Sequence, residues 1–332
     1  MNFYVGVISP NKAKRDIDIL MRSMGFADVS IFEGKSAVSK FFGNLFSMFN
    51  LLLKLKKNDV LLIQYPFKKF YALQCRIARL KGAKTVTLIH DLGTFRRHKL
   101  TAEQEVKLLS LTDFIIVHND SMKKWLETQG SLVPMCSLEI FDYLSDSNPS
   151  DAMQDNASHN HVVYAGALGE RKNTFLYQLD ALLSGCVMDL YGRGNLQTDL
   201  PWKNIHFKGF KASDDFIADA GGDWGLVWDG DSVDECSGNW GEYLRINNPH
   251  KASFYLRAGM PVIVWKQSAM AKFITENNLG IAVDSLKELS QVLTEMPQEK
   301  YQEMKSEVMS FKDKLNDGFF FKKAFAVALK TI

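Results

Sequence analysis

At 332 residues, 46% of them hydrophobic, the chain is long enough for two domains or one large one with a true core. Its 40 basic and 38 acidic side chains nearly cancel to +2, which removes the global field expected of a nucleic-acid binder. No apolar run reaches the ~18 residues needed to span a bilayer, and Cys75, Cys136, Cys186 and Cys236 form no CxxC pair. Reduced thiols are therefore expected rather than bridges or zinc ligands. The opening FYVGVIS enters a strand-like segment without a basic or apolar leader, so a cytoplasmic location is expected.

In chain order, Phe3 to Ile8 predicts the first strand, then the loop Ser9 to Lys12 and a helix from about Ala13 to Met24. Asp59 to Gln64 (DVLLIQ) predicts a buried strand ending at Tyr65-Pro66. A helix through Leu73, Ile77 and Leu80 leads to a strand over Thr85 to Ile89, which ends at His90-Asp91. A helix over Ala102 to Leu111, a strand over Phe114 to Val117 ending at His118-Asn119, and a helix over Ser121 to Thr128 follow. Apolar runs alternating with helical patterns mean βα units and a mostly parallel sheet.

Between Gly34 and Asn58 there is no acidic residue, while Lys35, Lys40, Lys54, Lys56 and Lys57 bracket a run rich in Phe, Leu and Met. Val38, Phe41, Phe42, Leu45 and Phe49 share one helical face. Two readings fit residues 35–57: a helix packed in the first domain, or a basic amphipathic helix making peripheral contact with the inner face of a membrane.

From Leu144 to Asn160 the composition turns to Ser, Asp and Asn, which predicts a linker with solvated His159 and His161. Alternation then restarts, with strands at His161 to Ala165, Val187 to Tyr191, Ile205 to Phe207, Gly225 to Trp228 and Gly280 to Val283. In NNPHKASFYLRAGMPVIVW (Asn247 to Trp265), Asn248 suits a helix N-cap and Pro249 the first helical position. Gly259 supplies the left-handed residue after the helix, and PVIVW reads as a buried strand. The domains are thus expected at 1–150 and 161–318, with an apolar helix over 319–332 packing back on the first.

Polar residues just after strands are either helix caps or site groups. Asp91, flanked by His90 and followed by Arg96 and Arg97, is the candidate general base. The helix start at His250 and Lys251 is a candidate anion site, because free N–H groups, dipole and cation favour phosphate. After Tyr164-Ala165-Gly166, Arg171 offers a bidentate phosphate grip. After Tyr191-Gly192-Arg193-Gly194, an aromatic stands ready to stack on a base. No GxxxxGK[ST] loop is present, and YGRGN breaks GxGxxG at Gln197. Asp229-Gly230-Asp231 has the DxD spacing of some metal sites, against the plainer reading of a short acidic turn.

HDLGTFR (His90 to Arg96), VHNDSM (Val117 to Met122), YAGALGERKN (Tyr164 to Asn173), LYGRG (Leu190 to Gly194) and the Asn247 to Trp265 unit resemble motifs of a bacterial glycosyltransferase family. That family includes β-1,6-galactofuranosyltransferases of polysaccharide synthesis and glucosyltransferases of serine-rich adhesins. The resemblance implies an α/β GT-B fold: two facing Rossmann-like doubly wound domains with a cleft between them. It implies a UDP-sugar donor, a glycan or lipid-linked glycan acceptor, no metal or cofactor, and a dimer or tetramer. Carried over by motif, Arg171, Tyr191, Asn248 and Lys251 hold the uridine diphosphate, with Ser9 to Lys12, Asn11 among them, approaching it; Gly166 is read beside them as letting the backbone come close to a ligand. Asp91 and His90 are expected to be catalytic, and Tyr65, Arg96, His118 and Asn119 to lie on the acceptor side. Phe95 departs from the leucine common in the family, and the linker is long. The rival readings are a two-lobed binding protein without chemistry and a UDP-sugar epimerase.

Overall fold

The computed structural model describes residues 1–6, 11–31, 36–67, 70–96, 98–149, 159–219 and 221–332, apart from the side chains of Ala37 and Arg96. Two compact units divide them, Met1–Glu139 with Phe320–Ile332 and Ile140–Phe319.

The first unit holds six parallel strands: β1 (Asn2–Tyr4), β2 (Ala27–Asp28), β3 (Val60–Tyr65), β4 (Lys84–Ile89), β5 (Phe114–Val117) and β6 (Met135–Ser137). Their order is β2-β1-β3-β4-β5-β6. Parallel neighbours need crossovers, here largely helical: Lys12–Ser23, Ala37–Lys54, Tyr71–Lys81, Ala102–Leu109 and Asp120–Thr128. Covered on both faces, the strands carry continuous apolar runs such as Leu61, Leu62 and Ile63, all buried. The order reverses direction between β1 and β3, which is where such sheets leave a crevice at the carboxyl ends of the strands.

The Phe319–Thr331 helix completes this core. Phe320, Phe321, Ala324 and Phe325 are buried, and Phe325 lies 5.0 Å from the ring of Phe26.

In the second unit β7 (His161–Leu168), β8 (Val187–Gly194), β9 (Ile205–Gly209), β10 (Trp224–Val227), β11 (Val262–Trp265) and β12 (Gly280–Val283) are again all parallel. The order β12-β11-β10-β7-β8-β9 puts the reversal between β7 and β10. Trp224, Trp228 and Trp265 fill the core beside Tyr164, Phe175 and Leu190. Gly259 takes φ +76° between the His250–Arg257 helix and β11, as the turn requires.

Most expected strands form within a few residues of their predicted bounds. β2 and β6, two and three residues long, were not read, and Val7 to Pro10 lie outside the described residues.

The units divide ahead of the Ser/Asp/Asn-rich stretch rather than within it. Residues 140–149 are tied into the second unit. Tyr143 N donates to Leu315 O at 3.1 Å, and Ser145 N to Asn316 Oδ1 at 2.8 Å. The buried Arg257 donates to Ser145 O, Ser147 O and Asn148 Oδ1. Most of the predicted linker, 150–158, lies outside the described residues. His159 is buried against Tyr301, their rings stacked 3.9 Å apart, and its carbonyl accepts from Trp224 Nε1 at 2.9 Å. His161 sits in β7, 3.3 Å from Asp189, so neither histidine is a solvated linker residue.

Candidate functional site

The strongest chemistry gathers at the carboxyl ends of β7 and β10, where the strand order reverses. Gly225 on β10 permits it. A Cβ there would fall 2.1 Å from the Tyr255 ring, so only glycine lets the His250–Arg257 helix pack this closely on the sheet. Tyr255 Oη then accepts from Ala165 N at 2.6 Å, bolting the helix to the end of β7.

The helix starts at His250. Pro249 keeps an extended ψ of 128° and is itself the N-cap, without a side-chain cap bond. This corrects the assignment of Asn248 as cap and Pro249 as first helical residue. The extended ψ turns the chain out of the helix one residue later than expected, and Asn248 is buried just outside it. His250 is architectural: its Nε2 lies 3.2 Å from Asp142 O and its ring stacks on Tyr143 at 4.7 Å.

Lys251, the next residue, is mostly covered, with Nζ buried 3.7 Å from the centroid of the Tyr164 ring. Nζ lies 3.5 Å from Asp229 Oδ1, and Lys172 Nζ lies 3.3 Å from the same oxygen. Tyr164 Oη is 3.1 Å from Asp229 Oδ1 and 3.0 Å from Trp228 O, and Asn173 Nδ2 donates to that hydroxyl. Lys251 Nζ is buried without a hydrogen-bond acceptor.

Burial pushes the Lys251 ammonium down from 10.5 to about 7, against the pull of Asp229 and with the push of Lys172. Burial pushes the Asp229 carboxyl up, but Lys172 and Lys251 outweigh it and hold it below its ordinary value. Two lysines thus share one carboxylate, and the cluster lacks a second negative charge. Both acids of the DxD spacing have protein partners. Asp229 is committed to the two ammonium groups, and Asp231 accepts from Ser237 Oγ. Among the described residues no group of three or more His, Cys, Asp or Glu side chains converges as metal ligands would.

The other residues expected on the donor side divide. Gly166, exposed at φ +147°, lies against Lys251, whose Cε would sit 3.6 Å from an added Cβ. Tyr191 pairs with Ala165 across β8 and β7 and packs edge-on against Phe216 at 5.3 Å. Gly192 and Gly194 are required there, since Cβ atoms would strike Gly166 O at 2.0 Å and Leu168 O at 1.4 Å. Arg171 is exposed in the turn after β7 and in no ion pair among the described residues. Lys172, one position on, is the cation that reaches the cluster. Asp229, Tyr164 and Asn173 were not singled out for this role, although YAGALGERKN contains two of them.

In the first unit His90 and Asp91 follow β4. His90 Nε2 meets Gln64 Oε1 at 2.7 Å, and Gln64 Nε2 donates to Lys14 O and to Asp18 Oδ1. Asp91 is half-buried. The turn beyond it is clasped by Glu105, a fully buried carboxylate that sequence reading passed over. Glu105 accepts from Gly93 N at 2.8 Å, Thr94 N at 2.7 Å, Thr94 Oγ1 at 2.6 Å and Tyr65 Oη at 2.6 Å.

Three residues expected on the acceptor side therefore hold the scaffold. Tyr65 serves Glu105, His118 Nε2 lies 3.1 Å from Ile89 O, and Asn119 caps the Asp120–Thr128 helix through Met122 N. Arg96 ends the Gly93–Arg96 turn of helix, and its side chain lies outside the described residues. Asn11 occupies the N-cap of the Lys12–Ser23 helix, and Lys12 pairs with Asp16 at 2.6 Å.

Family models match both halves of the chain. Residues 9–140 match the family model described as Glucosyltransferase 3-like, N-terminal domain, and residues 162–328 match the corresponding C-terminal domain. Beta-1,6-galactofuranosyltransferase WbbI of Escherichia coli (strain K12) is 34% identical over 82% of this chain and 79% of its own. Glucosyltransferase 3 of Streptococcus gordonii is 25% identical over 96% of this chain and 94% of its own. Among solved structures, the apo form of the lipopolysaccharide outer core galactosyltransferase WaaB shares the fold. Its TM-score is 0.56 at 11% identity, covering 98% of this chain and 99% of that one.

Proposed function

Because the chain belongs to the glucosyltransferase 3-like family, and is a glycosyltransferase of GT-B fold, we propose that it moves a hexose from a UDP-sugar to a glycan hydroxyl without a metal ion. Galactofuranose and glucose are the two sugars that the names of its relatives offer. The observation carrying the donor assignment is Lys251, a buried ammonium at the switch point that shares Asp229 with Lys172. A diphosphate supplies the negative charge this cluster lacks, and the start of the His250–Arg257 helix adds its dipole.

The chemistry balances on these groups. The bond from the sugar's anomeric carbon to the diphosphate oxygen breaks, and its electron pair leaves with UDP. Lys251 and Lys172 stabilise the charge that builds there. The acceptor oxygen forms the new bond, and its proton passes to Asp91 at the end of β4. In this reading Gly166 lets the backbone approach the phosphates, Tyr191 stacks on uracil, and Arg171 and Asn248 complete the donor contacts.

The test is UDP release from UDP-galactofuranose and UDP-glucose, with and without glycan acceptors, in the presence of a chelator. Acceptor-dependent release that survives chelation is expected. Binding without release, or release indifferent to acceptor, overturns the transferase reading, and loss on chelation overturns metal independence.

A further inference from the structure

The Ala37–Lys54 helix is apolar on two sides. Its inner side carries Ser47, Met48 and Leu51, all buried, and packs beside the Tyr71–Lys81 helix. It is pinned there by Asn50 Nδ2 donating to Val29 O at 2.9 Å and by Ile31 N donating to Ser47 Oγ at 3.2 Å. A capping box between Ser36 and Ser39 fixes its start. Nothing further is needed to form it.

Its outer side carries Phe41, Phe42, Leu45, Phe46, Phe49 and Leu53, which remain 42–64% exposed. Their spacing of three and four residues gathers them into one stripe, the side on which a surface helix ordinarily turns polar groups to water. Phe41 leans on Phe70 at 5.6 Å, but the first domain leaves most of the stripe uncovered. The exposed charges of this segment, at the two ends of the helix and just beyond it, have one sign. Lys40, Lys54, Lys56 and Lys57 are exposed, and no acidic residue occurs between Gly34 and Asn58.

We propose that this face docks on an anionic lipid surface, the phenyl rings entering the acyl boundary and the lysines meeting lipid phosphates. The proposal is independent of the donor site. Charge selects lipid over a second copy of the chain. A second copy of this segment doubles its lysines and brings no carboxylate to offset them, whereas a sheet of phosphates offsets them all. No helix among the described residues is long and apolar enough to cross a membrane, so this contact lies in the interface plane.

The full chain, mixed with phosphatidylcholine vesicles with or without phosphatidylglycerol, tests this by co-sedimentation. Binding only to the phosphatidylglycerol vesicles, weakened by salt, is expected. Phe42→Ser with Phe49→Ser should abolish it at an unchanged thermal midpoint. Lys54→Gln and Lys56→Gln should each weaken it about five-fold, and they decide the matter even where the phenylalanine variant folds poorly. No binding to anionic vesicles at low salt overturns the proposal. So does wild-type self-association that the phenylalanine variant loses while vesicle binding is absent, which would make the face a protein interface.

Discussion

Lys251→Met should make the protein more stable and a poorer binder of UDP. A lysine titrating near 7 instead of 10.5 costs the fold roughly 4 kcal/mol at neutral pH, since the unfolded chain keeps the proton. Methionine fills similar volume without that charge, and Asp229 keeps Lys172 at 3.3 Å, so no carboxylate is stranded. The lost cation–π contact with Tyr164 takes back about 1–2 kcal/mol, leaving an expected gain of about 2–3 kcal/mol. The sign with pH follows. The penalty is full below the folded value near 7 and fades as pH rises towards 10.5, so the variant's advantage shrinks over that window.

UDP affinity should fall by about 1.5–3 kcal/mol, the worth of a charged hydrogen bond, or about 10- to 150-fold. Wild-type affinity should also weaken between about pH 7.5 and 9, where the nucleotide's phosphates no longer titrate. Lys251 must then take up a proton to bind, while the variant should be flat with pH. Urea denaturation and UDP titration calorimetry across that range measure both. A variant that is less stable and binds UDP as before refutes both the charge reading and the site.

Asp91→Asn should leave UDP affinity intact and lower transfer by at least about 100-fold, measured as acceptor-dependent UDP release; full turnover removes it as the base. Glu105→Gln keeps shape but strips a carboxylate from four donors, and should cost about 2–4 kcal/mol in urea melts while slowing transfer with UDP binding unchanged. Gly225→Ala drives a methyl into Tyr255. It should cost about 1–3 kcal/mol and weaken UDP binding as the helix is pushed off β7, both checked by the same melts and titrations.

The fold was largely legible because parallel strands covered on both faces leave uninterrupted apolar runs, and Gly259 or Asn119 mark where helices end or begin. Short edge strands such as Met135–Ser137 leave no such run. The Phe41–Phe49 stripe shows the limit of periodicity: it reveals that a helix has an apolar face, not whether that face turns inward. Asn248 shows the limit of capping preference, because the ψ of Pro249 decides where the helix starts. Lys251 was legible from its place at a helix start. Its sharing of Asp229 with Lys172 was not, since a helix start and two separate loops are brought together only by the sheet order. Glu105 escaped for the same reason, as its donors come from another turn.

The last helix has a consequence for the order of folding. A ribosome delivers Phe320–Ile332 only after the whole second unit has emerged, yet these residues belong to the core of the first. Until then Phe26 and its neighbours lack the ring of Phe325. The amino-terminal unit is made first and finished last, so it waits with an open apolar seam for the length of the second unit's synthesis. Trimming the final turns should therefore harm the part of the molecule made earliest and leave the Lys251 cluster standing.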